Sequence, residues 1–345
     1  MKPSCLIILL FASISLFAQN KKEKVAEPVC LAFYNLENLY DTIDQPNVND
    51  TEFTPSGDNK WNSIRFNKKI ENVSMVLDSI GKERTKSGAA IIGLCEVENG
   101  GCLKSLVAAK KLKGRKYKIV HYDGPDERGV DVALLYQPGI FKLISSKTYR
   151  CVLTGDDARP TRDQLLVTGK LLGQRIHFIV CHWPSRRGGT DGSAPKRMTA
   201  AQLGRKIIDS ILKSEPDANI VLMGDLNDDP DQPSITAGLM ASGDLNNVQS
   251  NQLFDAMDAI YKSGRGTLSY KEKWNLFDQM VLSRPLVSGI GRLRFSSAEL
   301  FDKAMPKEQE GKFKGSPFRT YAGNKYLGGY SDHFPVYIFL ESTGK

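Results

Sequence analysis

Asn219-Ile220-Val221-Leu222-Met223-Gly224-Asp225-Leu226-Asn227-Asp228-Asp229-Pro230 is the stretch on which the fold turns. The apolar run Ile220–Met223 predicts a short buried strand, and Gly224 frees the backbone where that run stops. Asp225 and Asn227 then stand at a strand's end. Two residues apart in an extended chain, they point the same way, so a carboxylate and a carboxamide could share one metal or phosphate oxygen. Gly, Asp and Asn also crowd ordinary turns, and Asp228 and Asp229 are read as turn residues. Whether other strands end in the same way decides between these readings.

Upstream, a helix over Met198–Leu212 follows a strand over Ile176–Cys181, which runs into His182-Trp183-Pro184-Ser185-Arg186-Arg187-Gly188-Gly189. His182 leaves a buried strand there, and two arginines on a glycine-rich loop can approach a polyanion. A satisfied core histidine beside a solvated basic loop is the plainer alternative. Ala89–Cys95 is apolar throughout, as in a sheet covered on both faces, and ends in Glu96. A carboxylate at that place needs a cation, a metal or amide donors, which makes Glu96 a candidate ligand and Glu98 a weaker one. Val29–Phe33 ends just before Asn35, whose plainer role is a cap or turn residue. Arg162, ahead of the strand Leu165–Val167, could clamp a phosphate bidentately or simply be solvated.

Trp274–Ser283 reads as a strand holding Asp278, and Asp332 and His333 precede the last strand, Tyr337–Leu340. Helices are expected over Arg65–Ser79 and Leu103–Leu112, with a long polar loop over Thr42–Asn62 and a basic, mostly irregular stretch over Pro285–Lys325. Asp131 stays unassigned. Asn35, Glu96, His182, Asp225 and Asn227 all fall where an apolar strand gives out, and Asp332 and His333 where one begins. Layered α/β folds gather their ligands on such a rim.

The chain has 345 residues, a formal charge of +8 and 41% hydrophobic content, ample for a sizeable core. Met1–Ala18 reads as a signal peptide: Lys2 supplies the positive end, Leu6–Phe17 an apolar run too short to span a bilayer, and Ala18 a small residue at the cut. The expected product is exported, to the periplasm or outside the cell, without a stable membrane span. Residues 19–28 form a charged tether, 29–341 one domain and 342–345 a tail. Losing Lys2 with the signal takes +8 to +7, which suits an anionic partner such as nucleic acid without requiring one. Cys30, Cys95, Cys102, Cys151 and Cys181 then remain, an odd number mostly in apolar runs, so the core does not look disulfide-built. No repeat at solenoid or propeller spacing is present, and no feature indicates a protein partner.

Phe33-Tyr34-Asn35-Leu36-Glu37-Asn38, Leu94-Cys95-Glu96-Val97, Gly224-Asp225-Leu226-Asn227 and Ser331-Asp332-His333-Phe334-Pro335 together resemble the endonuclease/exonuclease/phosphatase superfamily, in its order, over Val29–Leu340. The resemblance implies an α/β four-layer sandwich: two mixed β-sheets packed face to face with helices on the outer faces. It also implies a phosphoester hydrolase dependent on Mg2+ or Mn2+, with Ca2+ admissible. Glu96 looks like the main metal carboxylate, with Asn35 and Asp332 nearby. His333 looks like the water-activating or phosphate-stabilising histidine, held by Asp278. Asp225 and Asn227 look like the residues that orient the attacking water and the phosphate. His182 resembles the second histidine of the deoxyribonuclease and sphingomyelinase branches, a candidate acid for the leaving oxygen. Arg162 resembles a phosphate-contacting arginine, and the Arg186-Arg187 loop resembles segments of extracellular nucleases. The chain departs from the family at Asp278-Gln279-Met280, where Asp-His or Asp-Tyr is frequent, and at His182-Trp183-Pro184, which differs from the abasic-site endonucleases.

The physics of such a site is consistent. A phosphodiester repels nucleophiles, so a hard cation on oxygen ligands must offset its charge, and water needs a base near neutral pH. No serine elbow, P-loop or zinc-protease motif competes. The first expectation is an exported nuclease of low sequence specificity. A phosphodiesterase or phosphatase on lipid headgroups or small phosphoesters is the second, and a binding protein on a decayed catalytic scaffold the third. His333→Ala separates the third from the others, since removing an acid–base group costs a hydrolase about 10²- to 10⁴-fold.

Overall fold

The computed structural model describes residues 27–155 and 158–342. The signal peptide expected at Met1–Ala18, most of the tether and residues 343–345 lie outside the described residues.

The first sheet has six strands in the order β14 (Leu293–Leu300), β17 (Val336–Ser342), β1 (Val29–Leu39), β2 (Ala89–Val97), β4 (Asp131–Tyr136) and β3 (Lys118–His121). The second has seven: β5 (Phe141–Tyr149), β6 (Gln164–Leu171), β7 (Gln174–His182), β8 (Ile220–Asp225), β13 (Asp278–Ser283), β10 (Leu253–Asp255) and β9 (Ala241–Ser242). Each is mixed: β1–β2 and β7–β8 run parallel, while β1–β17, β2–β4 and β8–β13 run antiparallel. Two small hairpins, β11 (Leu268–Tyr270) with β12 (Lys273–Asn275) and β15 (Tyr321–Ala322) with β16 (Lys325–Tyr326), lie outside them.

Successive side chains of a strand face opposite sides, and here both sides are covered. Leu31 and Phe33 of β1 meet Phe178, Val180, Val221 and Met223 of the other sheet in the central core. Their neighbours Cys30, Ala32 and Tyr34 pack outward against Val73, Val76 and Leu77 of α1 (Ser63–Ser79) and Leu103 and Leu106 of α2 (Gly100–Ala108). Ile179, Ile220 and Leu222 do the same against Ala201, Ile207 and Ile208 of α3 (Thr190–Ser214). The result is the helix–sheet–sheet–helix sandwich that the family resemblance implied.

Three local expectations need correction. Gly224 lies inside β8 and marks close packing: a Cβ there would meet the Cys181 carbonyl oxygen at 2.4 Å. The helix expected from Met198 starts at Thr190, with Pro195 tolerated in its early turns. The basic stretch Pro285–Lys325 contains β14, an edge strand whose half-exposed residues left little hydrophobic signal. The five described cysteines are buried and free.

Candidate active site

Strand register gathers the polar residues. His182 on β7 lies level with Asp225 on β8, and Asp225 lies level with Asp278 on β13, so three adjacent strands end together in functional groups. The facing sheet supplies Asn35, whose Nδ2 donates to Asp225 Oδ2 at 3.0 Å across the sandwich. Glu96 sits at an irregularity in the β2–β4 register with φ of 58°. A non-glycine residue held there is strained, and a bulge re-aims its side chain away from strict alternation. Glu96 Oε2 accepts from the Asn38 amide at 2.9 Å, and Oε1 lies 3.7 Å from His182 Nε2.

His333 comes from the loop before β17. The Ser331 hydroxyl fixes that loop by donating to the Asn35 carbonyl at 2.7 Å and accepting from the His333 amide at 3.1 Å. His333 Nδ1 lies 2.6 Å from Asp278 Oδ2, while Nε2 faces Asp225 Oδ2 at 4.0 Å and Asp332 Oδ1 at 3.9 Å. His182 Nε2 stands 3.8 Å from Asp225 Oδ2. Separations of 3.7–4.0 Å are too long for hydrogen bonds, so these groups surround a space instead of closing it. Asp332 is partly exposed and lies 3.3 Å from Arg319 Nη2.

Burial, followed by the charges of Arg162, Arg128 and His333, holds His182 well below the ordinary histidine value, so it is neutral. His333 is equally buried, which by itself lowers its pKa, but Asp278, Asp332 and Asp225 outweigh burial and hold it well above the usual value. Asp225 is pushed up to about 7 by burial and by the neighbouring carboxylates Asp278 and Glu96, against the opposing effect of His333. One imidazolium, one neutral imidazole and one carboxylate poised near neutrality therefore share a single centre. The expectation of His182 as acid for the leaving oxygen meets a group without a second proton at neutral pH. It retains one N–H to donate.

A cleft of about 350 Å3 opens over this centre, lined by Glu96, His182, Asp225, Asn227 and His333. Its walls carry five cations, Arg128, Arg159, Arg162, Arg187 and Lys196, and two carboxylates, Asp126, which meets Arg128 and Arg162, and Glu127, which meets Arg159. Arg162 is braced by Asp126 Oδ2 at 3.0 Å and the Trp183 carbonyl at 2.8 Å. Asn227 has φ of 53°, and its Nδ2 also donates to the Trp183 carbonyl, at 3.0 Å, which ties the β7 and β8 ends together.

Arg186 does not reach the cleft and corrects the expectation of a phosphate contact. Its guanidinium binds Asp228 Oδ1 and Asp229 Oδ2, each at 3.1 Å, and the Asn227 carbonyl at 3.0 Å. Asp228 also meets the fully buried Arg197 at 2.7 Å. Asp228 and Asp229 are thus counter-ions that fix the loop carrying Arg187. Glu98 is also outside the cleft, accepting from the Asp41 amide at 2.6 Å and Gln45 Nε2 at 2.7 Å. Asp131, unassigned from sequence, binds His121 at 3.2 Å. Arg128, Arg159 and Lys196 carried no sequence signal, because a cation in a polar stretch looks the same whether it faces a cleft or water.

A family model described as the endonuclease/exonuclease/phosphatase family matches residues 30–342. No curated protein sequence matches the chain. Among solved structures, an endonuclease/exonuclease/phosphatase family protein from Bacteroides thetaiotaomicron is 17% identical with a TM-score of 0.56, covering 92% of this chain and 99% of that one. A mannosyl-6-phosphatase from Bacteroides thetaiotaomicron VPI-5482 is also 17% identical, with a TM-score of 0.54 over 90% of this chain and 99% of the other. TDP2 from D. rerio, complexed with single strand DNA product, is 13% identical, with a TM-score of 0.54 over 91% of this chain and 99% of the other. Similarity at that identity establishes the fold. With the family match spanning nearly the whole described chain, this protein belongs to the endonuclease/exonuclease/phosphatase family and is a phosphoester hydrolase.

Proposed function

We propose that the chain is an exported nuclease of low sequence specificity, dependent on Mg2+ or Mn2+, that directs water onto the phosphorus of a phosphodiester. The observation that carries this reading is a cleft walled by Arg128, Arg159, Arg162, Arg187 and Lys196 above the His182–Asp225–His333 centre. A polyanion is what such a wall attracts. Export rests on the signal-peptide character of Met1–Ala18, which lies outside the described residues.

The donor set fits a hard divalent ion. Glu96, Asn35 and Asp332 offer oxygen donors of the kind Mg2+ and Mn2+ take, and the raised pKa of Asp225 reflects excess negative charge that a cation would relieve. Glu96, Asn35 and Asp332 would hold it, and when bound it supplies charge neutralisation at the phosphoryl oxygens.

The remaining work belongs to the side chains. Asp225, steadied by Asn35 Nδ2, has the right pKa to accept a proton from the attacking water. His333 is clamped at Nδ1 by Asp278 and so presents Nε2–H to a phosphoryl oxygen as a charged donor. His182 contributes a neutral N–H beside the same oxygens, and Arg162, already oriented by Asp126 and Trp183, adds fixed positive charge. Asn227 lines the cleft and orients the phosphate.

A second reading is a phosphatase on a small phosphoester, favoured by the modest cleft of about 350 Å3 and the likeness to a mannosyl-6-phosphatase. Purified residues 19–345 with Mg2+ or Mn2+, with and without chelator, are to be assayed on plasmid DNA, RNA, mannose 6-phosphate and sphingomyelin. Metal-dependent loss of DNA or RNA supports the nuclease. Intact nucleic acid with release of phosphate or phosphocholine replaces it with the second reading.

A further inference from the structure

Beside the catalytic cleft lies a second hollow, of about 660 Å3, which the hydrolytic step does not use. Arg187 and Asn227 line both spaces, so the two share a rim. Phe277 forms part of the hollow's apolar lining, its ring capped by the Arg186 guanidinium at 4.4 Å from the centroid. Across from the Gly188-Gly189 backbone stands the β11–β12 hairpin, which contributes Leu268, Tyr270, Lys273 and Asn275. Gly188 and Gly189 have φ of 87° and 100°, and a Cβ on either would meet no atom within 4 Å, so this side of the hollow is open.

Tyr270 is 63% exposed, with Lys271 Nζ 5.4 Å from its ring centroid, so a cation already stands by this aromatic face at the mouth of the hollow. The cleft itself is walled by charges, whereas aromatic faces occur in the hollow beside it. A planar ring attached to phosphates matches this pairing of aromatic face and flanking cations better than a polyhydroxylated group. Sugars call for convergent carboxylates and amides, and the neutral polar side chains here are confined to Thr190, Asn227 and Asn275.

We propose, on the nuclease reading above, that this hollow is a nucleobase subsite: it takes the base of the nucleotide next to the scissile phosphate, stacked on Tyr270, with Arg187 and Lys273 beside the adjoining phosphates. Stacking needs a π-face and no base identity, which accounts for cleavage with little sequence preference.

The test uses single-stranded oligodeoxynucleotides with one cleavable linkage and otherwise cleavage-resistant ones, in Mg2+ or Mn2+. The normal substrate is compared with twins carrying a tetrahydrofuran abasic residue on one or the other side of that linkage. Wild-type protein should cleave one abasic twin about 5- to 150-fold less efficiently in kcat/KM, the range for loss of one stacked base. Tyr270→Ala should abolish that discrimination and Tyr270→Phe should keep it. Equal cleavage of all three substrates by the wild type overturns the subsite, as does discrimination that survives in Tyr270→Ala or disappears in Tyr270→Phe. Failure to cleave any of these oligonucleotides overturns the subsite, and if plasmid DNA and RNA also stay intact the nuclease reading falls with it.

Discussion

Asp278→Asn tests the centre with the least disturbance of shape. Asp278 is fully buried, and its Oδ2 lies 2.6 Å from His333 Nδ1, itself 6% exposed, so solvent screens the pair little. A hydrogen bond to a charged group contributes about 1.5–3 kcal/mol net. Lost entirely from the transition state, that is roughly 10- to 150-fold in rate. Full loss of an acid–base residue costs about 10²- to 10⁴-fold, so a fall near 10²-fold in kcat/KM is expected, where the two ranges meet. The sign of the pH effect follows from the same contact. Asp278 is the foremost group that raises His333, and without it the imidazolium loses its proton at lower pH. The alkaline limb of kcat/KM should therefore move to lower pH. The measurement is the pH–rate profile on a soluble phosphodiester with saturating Mg2+ or Mn2+, with thermal melting as the folding control. A folded Asp278→Asn protein within about threefold of wild type and with an unmoved alkaline limb would refute the role given to this pair.

Other expectations follow from separate contacts. Glu96→Gln should remove most activity and also the rise in Tm that Mg2+ or Mn2+ gives the wild type; an unchanged metal-induced shift would place the ion elsewhere. Arg186→Ala strips Asp228 and Asp229 of a shared counter-ion and should lower stability by about 1–3 kcal/mol in urea unfolding. Arg187→Ala, on an exposed side chain, should instead raise KM for nucleic acid, and increasingly so at low salt. Asp255 is raised to about 7 by burial, with Asp258 adding to the effect. A carboxyl with a raised folded pKa contributes stability that is complete below its unfolded pKa, near 4, and is lost as pH rises through about 7. Asp255→Asn should accordingly be more stable than wild type at pH 8 and nearly equal to it at pH 4, as read from the difference in Tm; a difference that does not grow with pH contradicts the assignment.

The strand ends were legible because burial on both faces leaves continuous apolar runs, and a polar residue that closes such a run is conspicuous. Asn35, Glu96, His182 and Asp225 were visible for that reason. Asp278 was less so, since the run Trp274–Ser283 divides into β12 and β13 and the aspartate opens the second. The edge strands β5 and β14 escaped because one face of each meets water, which dilutes the hydrophobic period. Arg186 and Arg187 looked equivalent as neighbours on a loop. Asp228 and Asp229, which separate them, looked like turn residues because a turn and a counter-ion use the same side chain.

Sequence by itself determined the sandwich, the family and the residue types available at the rim, since these depend on local period, motif and order along the chain. Tertiary structure alone decided what those residues are. The level register of His182, Asp225 and Asp278, and the approach of Asn35 from the facing sheet, set distances that no local pattern encodes. Those distances, together with burial, make His333 charged and His182 neutral and bring Asp225 to about 7. Protonation depends on solvent exclusion and on charges contributed from opposite sheets, and both exist only once the sheets have packed.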